Sequence, residues 1–310
     1  MVRLWLRPCR DEGTLGARMS LIELKDVSKL YGFGDATSVA LDEVSLTIEK
    51  GECVAVMGPS GCGKSTLMNM IGLLDHPTHG DYHLAGKRVS RLSAQRRARI
   101  RRDKLGFIFQ SYNLLGRLTA LENVALPLLY RGFSTSKRNS AARAMLERVG
   151  LHDRCYYYPR QLSGGQTQCV AIARALVNQP EVIIADEPTG NLDTESSRLV
   201  MELLSEIHKS GNTVIFVTHN PELTRYATRV VYMQDGAVKH DEQIKLGEVG
   251  SYARQVMYHI PETTEEDDLA GVSTLMKVRP NETGAPKEKP APKKASKRKK
   301  ARRTKRKDAA

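Results

Sequence analysis

An apolar run, Cys53-Val54-Ala55-Val56-Met57, breaks directly into Gly58-Pro59-Ser60-Gly61-Cys62-Gly63-Lys64-Ser65-Thr66, and a helical pattern follows through Gly72. No other stretch limits the fold as strongly. The spacing Gly58-x-x-x-x-Gly63-Lys64-Ser65 is that of a phosphate-binding loop. Its glycines let the backbone curl until successive N–H groups face one anion at the positive end of the following helix. Lys64 is expected to neutralise the β- and γ-phosphates of a nucleotide and Ser65 to ligate Mg²⁺. A merely flexible glycine loop would need neither the strand before it nor the helix after it.

Further apolar runs fit the same plan. Leu21 to Leu24, Val39 to Leu41 and Val44 to Ile48 read as strands ahead of the loop, with Lys50-Gly51-Glu52 as a turn. Val182 to Ala185, Val214 to Thr218 and Val230 to Met233 read as later strands, with a helix over residues 194–209. Between them, residues 91–102 form an Arg-rich helix candidate before Gly106 to Phe109, and residues 117–180 look mainly helical, with loops at 132–136 and 156–161. Strands alternating with helices predict an α/β fold around a parallel sheet. The Arg cluster from Arg88 to Arg102 reads most simply as a solvated helix face, with phospholipid contact as the alternative. Tyr156-Tyr157-Tyr158 reads as a packing element.

The run Val182-Ile183-Ile184-Ala185 ends in Asp186-Glu187. In a parallel sheet this puts two carboxylates at the C-terminal strand edge, where ligands bind. Asp186 is expected to hold Mg²⁺ and Glu187 to orient or deprotonate an attacking water. An acidic pair after a strand is ordinarily only a loop start; the phosphate-binding loop in the same chain shifts the reading.

Charge needs locating before it is interpreted. Lys287 to Ala310 holds 13 basic and 2 acidic residues, a net of +11 out of the chain's +13, which leaves about +2 for residues 1–286. The basicity therefore belongs to a tail rich in Lys, Arg, Ala and Pro, preceded by the acidic patch Glu262 to Asp268, and it is expected to be disordered. A solvated end, attachment to anionic lipid and weak nucleic-acid contact all remain open for it. The longest apolar stretch, Val124 to Tyr130, is interrupted by Pro127 and falls well short of the roughly 18–20 residues of a membrane span. Arg3, Arg7, Pro8 and Arg10 break any signal-peptide core, so residues 1–19 are expected to form a disordered extension, with Met19 as an alternative start. Five cysteines show neither a CxxC pair nor a His/Cys cluster, which argues against zinc and disulfides and fits a reducing compartment. Cys62, inside the loop beside Lys64, is expected to be open to thiol reagents.

Leu162-Ser163-Gly164-Gly165-Gln166 resembles the signature motif of ABC ATPases, and the rest of that family's set follows in order. Gln110, after Phe107-Ile108-Phe109, looks like the Q-loop glutamine; Asn191-Leu192-Asp193 looks like the D-loop; His219 looks like the switch histidine; Tyr31 matches the aromatic that stacks on adenine. Phe109 to Leu115, Leu118 to Val124 and Ala185 to Asp193 are similar to the macrolide-export and lipoprotein-release (MacB/LolD-like) branch. The resemblance covers about residues 20–243. It implies an ABC ATPase domain there, with a mixed or parallel sheet core, a β-subdomain and a helical subdomain, followed by a helical extension at 244–262 and the tail at 263–310.

The same resemblance implies a mechanism. Two copies would close head to tail on two ATPs, with Ser163, Gly164, Gly165 and Gln166 of one completing the γ-phosphate site of the other and Asp193 of the D-loop among the nucleotide-binding residues. Gln110 would sense Mg²⁺, and His219 would contact the γ-phosphate. A separate membrane permease would be driven from the cytoplasmic face, most simply for export or extraction. The alternative is a soluble ABC ATPase acting on nucleic acid or ribosomes through the tail. Thr167 and Cys169 depart from the family's usual Gln or Glu and Arg, and a lost cation there is expected to weaken closure or its coupling.

Overall fold

A computed structural model describes residues 20–32 and 37–258. The expectations for residues 1–19, Cys9 and the 263–310 tail lie outside the described residues. In chain order the elements are β1 (Ser20–Tyr31), β2 (Ser38–Glu49), β3 (Cys53–Met57), α1 (Lys64–Ile71), β4 (His79–Leu84), β5 (Lys87–Arg88), α2 (Ala94–Lys104), β6 (Leu105–Phe109), α3 (Ala120–Tyr130) and α4 (Thr135–Arg148). There follow α5 (Gly164–Leu176), β7 (Val182–Asp186), α6 (Thr194–Lys209), β8 (Thr213–Val217), β9 (Arg229–Gln234), β10 (Ala237–Gln243) and α7 (Ser251–Tyr258).

The strands form a four-stranded antiparallel sheet, in the order β2-β1-β4-β5, and a six-stranded sheet, in the order β10-β9-β3-β8-β7-β6. In the six-stranded sheet only the β9–β10 pair is antiparallel. The parallel strands are buried on both faces, which is why they read as unbroken apolar runs. The period of two sorts their side chains. Val54, Val56, Ile184, Ile215 and Val217 join the core shared with Leu24, Leu46 and Leu67, whereas Ala55, Met57, Ile183, Ala185 and Phe216 join the core shared with Val200, Met201 and Leu204 of α6. A third cluster gathers α3, α4 and α5 around Val124, Leu146 and Val170, which is the helical subdomain the resemblance implies.

Three strands escape the sequence reading, β4, β5 and β10. β4 and β5 turn through Ala85-Gly86, and β9 and β10 through Asp235-Gly236, with positive φ at all four residues. Asp-Gly is a strong hairpin signal and Ala-Gly is not, and β10 is a charged edge strand with little apolar alternation. The Arg-rich helix forms two to three residues later than expected, capped where the Ser93 hydroxyl accepts the Arg96 N–H, and it has no buried residue. The tyrosine triplet does not pack inside: Tyr156, Tyr157 and Tyr158 are exposed, each with a guanidinium over its ring, from Arg143, Arg154 and Arg160 respectively. Three phenol-bearing rings in a row can stay at the surface because the cations cover their faces. Among the described residues no helix is long and apolar enough to cross a membrane.

Candidate nucleotide site

Four parallel strands deliver the predicted residues to one edge of the sheet. β3 ends in the Gly58 to Thr66 loop, β6 ends before Gln110, β7 ends in Asp186, and β8 ends before Thr218 and His219. This is the C-terminal edge, where the loops of a parallel sheet form ligand sites. In the loop, Lys64 folds back so that its Nζ donates to the carbonyls of Gly58 and Pro59, at 2.8 and 2.7 Å. Gly63 precedes α1 with a φ of 99° and supplies no side-chain cap, so the first N–H groups of α1 have no partner from that residue.

Cys62 corrects an expectation. Its side chain is buried in the core beneath the loop, with Sγ 3.8 Å from Lys64 Nζ, so the thiol is shielded from reagents and the residue lines the loop through its backbone. Cys53, Cys155 and Cys169 are likewise free thiols. Burial pushes Cys169 up to about 11, leaving it a neutral, half-buried side chain beside the helical core where the family commonly has a cation.

The carboxylates sit as the strand edge predicts. Burial first, then the adjacent Glu187, raise Asp186 above the ordinary aspartate value, with Lys64 opposing. Glu187 itself takes a left-handed backbone, φ 45°, held by its N–H to Val217 O and by its carbonyl accepting from Gly190 N–H. For a residue with a Cβ this conformation costs about 1–2 kcal/mol, which the two backbone bonds offset. The turn aims the Glu187 carboxylate across to β8, where Oε2 lies 2.9 Å from His219 Nδ1. A carboxylate can only accept, so Nδ1 carries the proton in this pair. A cavity of about 540 Å³ opens beside it, lined by Glu187, Gly190, His219 and Asn220 among others. Ser65, Asp186 and Gln110 offer oxygen donors, the chemistry that suits Mg²⁺ shared with substrate phosphates.

Gln110 and the D-loop meet directly. Asn191 Nδ2 donates to Gln110 O at 3.2 Å, and Gln110 Nε2 lies 3.5 Å from Asn191 Oδ1. Sequence reading missed Gln168, which is fully buried and donates 2.8 Å to Pro188 O, tying α5 to the turn after β7. Asp193 caps α6, and the Ser196 N–H and hydroxyl hold its carboxyl below the usual range. Tyr31 stands partly exposed at the end of β1. The Ser163 to Gln166 segment lies beside the D-loop of its own chain: a Cβ at Gly164 would meet Tyr112 Oη and Leu192, and one at Gly165 would meet Ser196. Ser163 and Gly164 are exposed.

A phosphate loop, an acidic strand end, a histidine at the next strand end and a separate helix with an exposed Ser-Gly start together define an ATP-binding cassette. The family model described as ABC transporter matches residues 41–190. An uncharacterized ABC transporter ATP-binding protein of Methanocaldococcus jannaschii is 52% identical over 218 residues, covering 70% of this chain and 97% of that protein. YvrO, an ABC transporter ATP-binding protein of Bacillus subtilis, is 48% identical, covering 72% and 97% respectively. The macrolide export ATP-binding/permease protein MacB of Hyphomonas neptunium is 52% identical over 71% of this chain, but the match spans only 34% of MacB. Among solved structures, a post-hydrolysis dimer of the ATP-binding cassette MJ0796, bound to ADP and Pi, superposes with a TM-score of 0.67 at 43% identity, covering 72% of this chain and 99% of that one.

The chain belongs to the ABC transporter ATP-binding proteins. It is an ATPase subunit of that family, and within the family it is of the MacB/LolD-like type.

Proposed function

We propose that two copies of this chain close head to tail around two ATP molecules and drive a separate membrane permease from the cytoplasmic face. The Glu187–His219 pair, 2.9 Å apart at adjacent strand ends, carries the reading. In it, Lys64 and the loop amides from Gly58 to Thr66 hold the phosphates, and Tyr31 supports the adenine. Ser65, Gln110 and Asp186 would hold Mg²⁺, which would supply charge neutralisation of the phosphates. Glu187 accepts a proton from water as its oxygen bonds to the γ-phosphorus and the bond to ADP breaks. His219, proton on Nδ1, keeps the Glu187 carboxylate in place and would contact the γ-phosphate through its other ring nitrogen. Positioning and charge stabilisation suffice for such a transfer.

The signature segment is exposed and turned to its own D-loop, so a second copy is the natural source of the Ser163, Gly164, Gly165 and Gln166 that complete each site. MJ0796 is seen as a dimer bound to ADP and Pi in a post-hydrolysis state. The permease is proposed by analogy with MacB, whose name joins ATP-binding and permease functions. The basic tail lies outside the described residues and carries no part of this reading.

Glu187→Gln tests the assignment. It is expected to bind ATP, lower turnover by roughly 10²–10⁴-fold, and accumulate an ATP-bound dimer on size-exclusion chromatography. Near-normal turnover would remove Glu187 from the proton-accepting role. Affinity purification from detergent-solubilised membranes should recover a permease chain.

A further inference from the structure

Tyr31 is not a free-standing aromatic. Its hydroxyl donates to Asp75 Oδ2 at 2.9 Å, while Lys29 Nζ donates to Asp75 Oδ1 at 2.8 Å and to His76 O at 3.0 Å. Lys29, one strand period before Tyr31, is only 7% exposed, and its Nζ stands 5.0 Å from the centre of the Tyr31 ring. The carboxylate thus accepts from both side chains and from the His76 N–H at 2.7 Å. Two further bonds stitch the same seam: Leu30 N–H to Thr78 Oγ1, and Thr78 N–H to Ser28 O.

Asp75 lies in the segment that leaves the end of α1, just beyond Gly72, and α1 begins at the phosphate loop. One short helix therefore has the phosphate site at its start and the anchor of the aromatic ring just past its end. A nearly buried lysine is costly unless paired, so this arrangement must be satisfied for β1 to end where it does. Burial alone would raise Asp75, but Lys29, the His76 N–H and the Tyr31 hydroxyl together hold it below the ordinary aspartate value.

We infer that Asp75, braced by Lys29, is a positioning residue that fixes the Tyr31 ring as the base platform at a set distance from the phosphate loop. The inference rests on the reading of Tyr31 as the nucleotide-stacking residue. Because the hydroxyl proton is committed to Asp75, Tyr31 has no donor left for a base edge and offers the nucleotide its ring face. The platform therefore supports purine rings by stacking, and its loss weakens ATP and GTP alike. It leaves a ligand without a base unaffected.

Asp75→Asn and Tyr31→Phe are the direct variants, the second keeping both the ring and the Lys29–Asp75 pair. Steady-state kinetics with ATP and GTP, and competitive inhibition by inorganic tripolyphosphate, give the readout. Asp75→Asn should raise KM for both nucleotides about 5- to 10-fold, with kcat within about twofold and the tripolyphosphate inhibition constant unchanged. Tyr31→Phe should raise KM in the same direction by less. If Tyr31→Ala raises KM but Asp75→Asn and Tyr31→Phe do not, the brace is overturned while the platform stands. If Tyr31→Ala leaves KM unchanged, the platform reading falls and takes the brace with it. Equal weakening of tripolyphosphate by Asp75→Asn would also overturn the inference, since it would mark general damage to α1 and its loop.

Discussion

Helices α1 and α5 start alike in sequence: glycine at the threshold and no acidic residue in the first turn. They are finished in opposite ways. At α5, Ser163 Oγ accepts the Gln166 N–H and Gln166 Oε1 accepts the Ser163 N–H, a complete capping box. At α1 the preceding residue is Gly63, which has no side chain to cap anything, while Leu67, Met68, Met70 and Ile71 bury the rest of the helix. A helix start without a cap carries unsatisfied donors and a partial positive charge that an anion can meet. A capped one has part of that need met within its own chain: here the Gln166 N–H is taken by Ser163 Oγ. In the proposed function the first start is left for the ATP phosphates, and the second, with Ser163 and Gly164 exposed, is the one that would face a second copy.

The same substitution at the two starts sharpens this contrast most. Gly63→Ala should have the largest effect, because φ is +99° and the new Cβ would meet Ala40 O at 2.4 Å. Thermal unfolding should show a loss of about 2–4 kcal/mol, and calorimetric ATP binding should disappear. Gly164→Ala crowds the ends of two side chains, Tyr112 Oη at 3.1 Å and Leu192 Cδ2 at 3.2 Å, and meets backbone only at ordinary contact, Asn191 O at 3.8 Å. It should leave folding and ATP binding near normal, yet weaken the ATP-dependent dimer about tenfold, or about 1.4 kcal/mol, with turnover falling in step. Equal damage to ATP binding from both substitutions would break the division between a ligand-completed and a partner-completed half.

The smallest expected effect concerns pH. Burial and the adjacent Glu187 hold Asp186 above the ordinary aspartate value, so the folded protein takes up this proton at higher pH than the unfolded chain does. The sign follows: this group's contribution to stability is greatest below its unfolded value and is lost as pH rises through the folded one. For metal binding the order is reversed, because only the carboxylate holds Mg²⁺. Mg²⁺-dependent ATP binding, followed by fluorescence against pH, should therefore weaken on acidification earlier than a free aspartate would dictate. Glu187→Gln should move that limb to lower pH. An unmoved limb would separate Asp186 from the metal.

Much of the machine was legible because its chemistry fixes residue types at short range. The loop from Gly58 to Thr66, the Asp186-Glu187 strand end and the Ser163 to Gln166 cap are contiguous, and each sits on the element its neighbours predict. What escaped is assembled over distance or hidden by polarity. The Asp75 seam joins residues more than forty positions apart, and nothing local marks Asp75 as other than a loop acid. Gln168 looks like one more polar position on a helix, and only the fold shows it fully buried against Pro188. β4 and β10 alternate too weakly to announce themselves beside their turns. Cys62 misled because its place in the loop beside Lys64 suggested an accessible thiol, whereas its own side chain is buried in the core beneath the loop.

The alternation along β3 and β7 has a consequence for anyone who would redesign this protein. Their odd and even residues line two different interiors, so the central sheet is a party wall between two rooms. The α6 side is furnished with Ala55 and Ala185, both fully enclosed, while the opposite side carries Val54, Val56 and Ile184. Enlarging either alanine would push the strand toward the other room, and the loop at its end would move with it. Neither interior can be refitted without resurveying the other.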